Sequence, residues 1–198
     1  MDEKGVVYML KDLVAKNRCY RRFYQEEKIT REELLEWVDL ARLTSSGGNL
    51  QNLKYVIVNE DEKNEKVFKE LKWAAALKDW VGPEEGEKPS AYIIMLVDTE
   101  IGSNPLWNHG LAAQSILLGA TEKGFGGCMF ASYNKNNIKS ELGITDRYDV
   151  LMVIALGKPK EEVVLEELGE DGDVNYWRDE NKVHHVPKRK LEDIVLDL

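Results

Sequence analysis

Ser45-Ser46-Gly47-Gly48-Asn49-Leu50-Gln51-Asn52 is the stretch around which the chain is organised. It closes a strongly helical segment and opens onto an apolar strand, Lys54-Tyr55-Val56-Ile57-Val58. Two hydroxyls, two glycines and three carboxamides fall in one short run with almost nothing to bury. Glycine lets a backbone approach a ligand closely, and each carboxamide offers a donor and an acceptor. A solvated helix-to-strand turn uses the same residues. The ligand reading therefore depends on what other polar clusters the chain supplies.

Upstream, Val6, Val7, Leu10, Leu13 and Val14 predict an amphipathic helix over residues 5–16. It runs into Asn17-Arg18-Cys19-Tyr20-Arg21-Arg22-Phe23, with three arginines close together. Arginines at a helix end complement its dipole; equally, guanidinium forks match phosphate geometry. Thr30-Arg31-Glu32-Glu33 is a capping box. The helix it starts is expected to bury Leu34, Val38 and Ala41, with Leu35 and Trp37 flanking that stripe.

Downstream of the strand, residues 64–77 are expected to be helical with Val67, Phe68 and Leu71 inward. A charged Gly/Pro loop over 79–90 carries Trp80, either a packing anchor or a lid over a flat ligand. Ala91 to Val97 is a continuous apolar run suited to the centre of a sheet covered on both faces. A helix punctuated by small residues spans 107–123 and stops at Gly124-Phe125-Gly126-Gly127. A short strand, Cys128-Met129-Phe130-Ala131, a short helix over 134–142 and a clear strand over 149–156 follow. Beyond Lys160 the chain turns acidic and polar, with a second basic cluster at Pro187-Lys188-Arg189-Lys190.

The whole is 198 residues, 43% hydrophobic and 32% charged, with a net charge of −9. That describes one folded domain and argues against a general nucleic-acid or anionic-membrane surface. Cys19 and Cys128 form neither a metal spacing nor a disulfide framework, which fits a reducing compartment. No signal-like or membrane-spanning run is seen, so a cytoplasmic protein is expected. His109, His184 and His185 lack partners at metal spacing, so no metal is expected.

The motifs taken in order resemble the nitroreductase family of flavoproteins. The family's Arg-Ser-x-Arg-x-Phe is similar to Arg18-Cys19-Tyr20-Arg21-Arg22-Phe23, and its Pro-Ser-x-x-Asn-x-Gln-Pro-Trp to Ser45 through Leu53. The small-residue helix ending in Gly-x-Gly corresponds to Gly110 through Gly126. Leu142-Gly143-Ile144, Gly157-Lys158-Pro159 and Lys188-Arg189 before Leu191-Glu192 complete the order. The resemblance implies an α+β, FMN-dependent nitroreductase-like fold with a central mixed β-sheet flanked by helices. It implies one domain over 1–198, a homodimer, and a C-terminal extension over 160–198 exchanged across it.

The resemblance also implies hydride transfer from NAD(P)H through FMN to a small acceptor such as a nitroaromatic or quinone, by a ping-pong route. Arg18, Lys188 and Arg189 would then take the phosphate, with Cys19 beside it where the family has serine. Arg21 would tune the flavin from its pyrimidine edge. Ser45, Ser46, Asn49 and Gln51 would reach the ribityl chain and ring, Ser46 and Asn49 from the partner subunit. Phe130, Ala131 and Ser132 would pass the ring by their backbone. Asn52-Leu53 in place of Pro-Trp implies a less rigid loop. A flavin store or sensor without efficient turnover, and a plain interaction domain, are the alternatives.

Overall fold

The computed structural model describes residues 9–74, 76, 77 and 80–197. Val6 and Val7, expected in the first helix, lie outside the described residues. The chain runs α1 (Leu10–Lys16), β1 (Phe23–Tyr24), α2 (Arg31–Arg42), β2 (Leu53–Val58), α3 (Asp61–Lys69) and β3 (Ala91–Asp98). It continues through α4 (Asn108–Glu122), β4 (Gly126–Phe130), α5 (Lys135–Leu142) and β5 (Tyr148–Pro159). β6 (Val163–Glu167), β7 (Trp177–Arg178) and β8 (His184–Lys188) form the tail.

The main sheet has the order β1-β5-β3-β2, with β4 also on β5. Its named strands pair antiparallel, and a parallel bridge from Cys19 to Gly127 adds the segment after α1 to its edge. β3 lies at its centre and every residue of it is buried. Alternation along a strand sends successive side chains to opposite faces. Ala91, Ile93 and Met95 therefore join the α2 and α4 side, while Tyr92, Ile94 and Leu96 join the core shared with Val67 and Ile138. The result is three layers, helices on both faces of an α+β sheet. No helix among the described residues is long and apolar enough to cross a membrane.

Local chemistry explains most boundaries. Thr30 accepts from the Glu33 backbone while Glu33 reaches back, as the capping box requires. Within α2, however, Trp37 is the residue buried with Leu34 and Ala41, at 1% exposure, while Val38 is half-buried and Leu35 exposed. The small residues of α4 let α2 come close: a Cβ on Gly119 would stand 3.1 Å from the Trp37 ring.

One expected element is corrected. α3 ends at Lys69 instead of reaching Leu77. The backbone of residues 70–72 spends its hydrogen bonds elsewhere: Asn134 N donates to Glu70 O (2.9 Å), Lys72 N donates to Ser132 O (3.0 Å), and Leu71 bridges Tyr133. Backbone groups that find sheet partners need no helical ones. The tail beyond Lys160, acidic and polar in sequence, folds into a three-stranded sheet of order β6-β8-β7. It docks on its own chain through Glu161, Arg178 and His184, and leaves Leu191, Ile194, Val195 and Leu196 exposed.

Candidate functional site

Two clefts collect most of the polar residues singled out in the sequence. The first, of about 310 Å³, is lined by Asn17, Arg18, Cys19, Arg21, Gln114, Leu117, Met129, Tyr176, His184, Val186 and Lys188. Its walls come from the turn after α1, one side of α4, β4 and the tail sheet. Gathered here are Arg18, Cys19, Arg21 and Lys188; Arg189 is exposed and outside the lining.

Arg18 donates through Nη2 to Val14 O at 2.7 Å, closing the last turn of α1. Its Nε is buried and has no partner among the described residues. Arg21 is buried. Its Nη1 donates to Cys19 O (3.2 Å) and to His184 Nε2 (3.1 Å), its guanidinium lies 4.5 Å over the Tyr176 ring, and its backbone N donates to Glu161 Oε1 at 2.6 Å. Arg22 points elsewhere, forking onto Glu87 at 2.6 Å through both Nε and Nη2, and holds that carboxyl down at about 2. Dipole compensation thus accounts for part of Arg18, a structural ion pair for Arg22, and neither for Arg21.

His184 was not foreseen as a site residue. It is 1% exposed, and burial first, then the charges of Arg21 and Arg178, push its imidazole down to about 4. A neutral ring that accepts at Nε2 carries its proton on Nδ1, and that atom too is buried without a partner among the described residues. Unpaired buried donors are rare because each costs about 1–3 kcal/mol. Two of them, Arg18 Nε and His184 Nδ1, belong to residues of one cleft wall beside the charges of Arg21 and Lys188. Such a wall suits an anion with several acceptor oxygens, and a phosphate fits it.

Cys19 reaches the surface of this cleft. A hydrogen bond from the buried Cys128 thiol, aided by the charges of Arg21 and Arg18 and opposed by burial, pulls its thiol down to about 6. Cys19 is therefore largely a thiolate at neutral pH, an anion where the resemblance places a neutral hydroxyl.

The second cleft, of about 220 Å³, is lined by Ala41, Arg42, Thr44, Ser45, Ser46, Gln51, Leu53, Lys54, Tyr55 and Asn108. Its loop is strained: Asn49 and Gln51 both have φ 51°, a left-handed conformation uncommon outside glycine. Asn108, buried at the start of α4, holds it by accepting from Gly47 N (2.8 Å) and donating to Ser46 Oγ (3.2 Å). Ser46 Oγ also accepts from Gln51 N at 3.0 Å. The loop is not slack where proline is missing: buried Asn52 donates to Gly102 O (2.7 Å) and Asn104 O (3.1 Å). Asn49 is exposed and outside the lining.

Phe130, Ala131 and Ser132 line neither cleft. Phe130 is buried edge-on against Trp73 at 4.7 Å, and its neighbour Met129 is the β4 residue that faces the first cleft. Trp80 is a packing anchor, flanked by Trp73 (6.1 Å) and by the Arg178 guanidinium 4.3 Å from its ring. No group of His, Cys, Asp and Glu among the described residues could hold a metal ion.

Comparison with known proteins agrees with this architecture. A family model, "Nitroreductase family", matches residues 14–158, and the chain belongs to that family. "Putative NAD(P)H nitroreductase MhqN" of Bacillus subtilis is 27% identical over 183 residues, covering 76% of this chain and 88% of its own. The crystal structure of "a putative NAD(P)H:FMN oxidoreductase" from Staphylococcus epidermidis superposes with TM-score 0.68 over 97% of both chains at 19% identity. That of "a putative nitroreductase in complex with FMN" from Exiguobacterium sibiricum gives 0.65 at 17% identity, over 79% of this chain and 90% of the other. At these identities the two structures speak to the fold, and the first extends the likeness through the tail.

The neutral His184 makes tail docking pH-dependent. Its folded pKa of about 4 lies below the ordinary value of 6.5, so protonation favours the unfolded chain. Its contribution to stability is complete above about pH 6.5 and is lost as pH falls toward 4. Denaturant titrations should show this loss in the native protein and a shallower loss in His184→Gln, whose amide oxygen can still accept from Arg21. Superimposable pH profiles for the two proteins would contradict the assignment.

Proposed function

We propose that the chain is an FMN-dependent NAD(P)H oxidoreductase that passes reducing equivalents to a small organic acceptor such as a quinone or nitroaromatic. The observation that carries this reading is the first cleft: three cations and two unpaired buried donors on one wall, in a chain of the nitroreductase family. Arg18 and Lys188 hold the FMN phosphate through charge-assisted bonds, with Arg189 joining from the adjacent position. Cys19 would lie beside that phosphate, and its thiol, when protonated, would donate to it. Bound FMN supplies a two-electron carrier that accepts hydride and passes it on.

Arg21 provides a fixed positive charge that stabilises the reduced, anionic form more than the neutral oxidised one. His184 and Tyr176 keep that charge in place, leaving it little freedom to reorganise when the carrier's charge changes. Met129 and Leu117 supply apolar wall and exclude water. Alternation of reductant and acceptor at one cleft gives the ping-pong order.

The active form we propose is a homodimer. α1 buries no residue of its own, and Leu10 (68% exposed) and Val14 lie open on it. Leu40 and Leu43 at the end of α2, and Leu106, Trp107 (74% exposed) and Leu111 at the start of α4, are open as well. An exposed apolar set of this kind supports an association surface. Pairing through it brings Ser45, Ser46, Asn49 and Gln51 of one subunit to the first cleft of the other, and residues beyond Lys188 cover the partner. Light scattering should give a dimer, and Trp107→Glu with Leu111→Glu a monomer that loses flavin; a native protein that is monomeric and fully flavin-loaded would refute the arrangement.

Anaerobic titration tests the chemistry. NADH or NADPH should bleach the flavin-loaded protein, and a quinone should restore its colour. In Arg21→Met the midpoint potential should fall by tens of millivolts: a charge pair near 4 Å is worth on the order of 4 kcal/mol at an effective dielectric of about 20. Half of that converts to about 40 mV for two electrons. A yellow protein that neither nucleotide bleaches would be a flavin carrier, and the enzymatic reading would fail.

A further inference from the structure

A third cleft, of about 360 Å³, shares no residue with the two described above. Asp61, Asn64, Glu65 and Phe68 recur at i, i+3, i+4 and i+7, so one face of α3 forms a wall of it. Gln25 pins the facing loop: its Oε1 accepts from Gly86 N (2.8 Å) and Lys88 N (3.1 Å), and its Nε2 donates to Glu85 at 2.9 Å. Tyr92, near the start of β3, completes the lining.

Two polar groups of that lining are buried and unspent. Asn64 is 7% exposed, and its Nδ2 donates to Ser90 O at 2.8 Å. That bond fixes the carboxamide and leaves Oδ1 without a partner among the described residues. The Tyr92 hydroxyl is fully buried and likewise unpaired. Buried polar groups are rarely left so. A carbonyl oxygen only accepts, and a phenol oxygen accepts as well, so a ligand here has to bring N–H or O–H donors.

Charge narrows the class. The lining holds three carboxylates, Asp61, Glu65 and Glu85, against two ammonium groups, Lys28 and Lys88. Burial first, then the charge of Glu65, push the Tyr92 phenol well up, so its neutral hydroxyl sits in a negative field. The Phe68 ring already carries one ammonium: Lys88 Nζ lies 4.8 Å from its centroid, bonded to Glu65 Oε1 and to Glu85 at 2.7 Å each. Lys88 reaches neither Asn64 Oδ1 nor the Tyr92 hydroxyl, and those acceptors remain open.

We propose that this cleft binds a small aliphatic primary amine in its protonated form. The three N–H groups of the ammonium donate to Asn64 Oδ1, the Tyr92 hydroxyl and the Glu65 carboxylate, and the methylenes lie against Phe68. A neutral alcohol brings one donor and no charge. A quaternary ammonium brings the charge and no donor. No residue of the cationic cleft or of the proposed dimer surface takes part, so the site stands or falls apart from the flavin reading.

Calorimetric titration of the full chain with butylammonium chloride at physiological salt tests this. We expect saturable binding of one amine per chain, with 1-butanol and tetramethylammonium at least about tenfold weaker, the factor that a hydrogen bond to a charged group commonly supplies. Tyr92→Phe deletes only an unpaired buried hydroxyl; it should fold and bind butylammonium about tenfold more weakly. Should that variant not fold, Glu65→Gln decides in its place, with the same loss expected. Absence of saturable binding, which would leave the cleft to water, would overturn the proposal. So would equal affinity for either control ligand, or unchanged affinity in the folded variant.

Discussion

The buried guanidinium of Arg21 is the contact on which the rest of the site depends. A charge taken out of water is tolerated only where hydrogen bonds and polarisable neighbours replace its hydration. Here Cys19 O, His184 Nε2 and the Tyr176 ring do so, while the backbone beside it is held by Glu161. Three of these groups, Glu161, Tyr176 and His184, belong to the tail. Glu161 in turn pairs with Arg178 at 2.7 Å, and Arg178 covers Trp80. One connected network therefore ties the turn after α1, the tail sheet and the loop before β3 into a single wall.

That wall is positive inside an acidic protein. Arg18, Arg21 and Lys188 face one cleft, and the donors on Arg18 and His184 that are unpaired among the described residues mark a place where ligand acceptors would complete the set. The second cleft is built differently. Its loop is held in left-handed backbone at Asn49 and Gln51, and its clamps, Asn108 and Asn52, are buried amides reaching across from α4 and toward the 102–104 turn. Strain maintained by such clamps is a mark of a preorganised binding loop. The two clefts are separate within one chain, which is the structural reason for proposing that a dimer joins them.

Much of the fold could be read from the residues. Ala91–Val97 is an unbroken apolar run and 149–156 is one after its first residue, which is how a strand at the centre of a covered sheet reads. The capping box at Thr30 placed the start of α2. What failed to read were features set by contacts distant in sequence. α3 stops at Lys69 because residues 70–72 pair with 132–134, and no local signal announces that. The tail strands are too short and polar to show alternation. In the site, Arg18, Arg21 and Lys188 were visible as clustered basic residues, and Cys19 through the motif that Arg18 and Arg21 bracket. His184 was not, because a lone histidine gains its role only when Arg21 folds against it. Asn108 was missed for the same reason: its amide matters through Gly47 and Ser46 alone.

The central claim, that the cationic cleft is the phosphate end of a flavin site, is tested most directly by calorimetric titration of the flavin-free protein with FMN and with riboflavin at moderate salt. The two ligands differ only by the phosphate. Charge-assisted hydrogen bonds contribute about 1.5–3 kcal/mol each, so FMN should bind at least about tenfold tighter for each phosphate contact made. The gap should narrow in Arg18→Gln and Lys188→Gln. Equal affinities of the native protein for FMN and riboflavin would contradict the account.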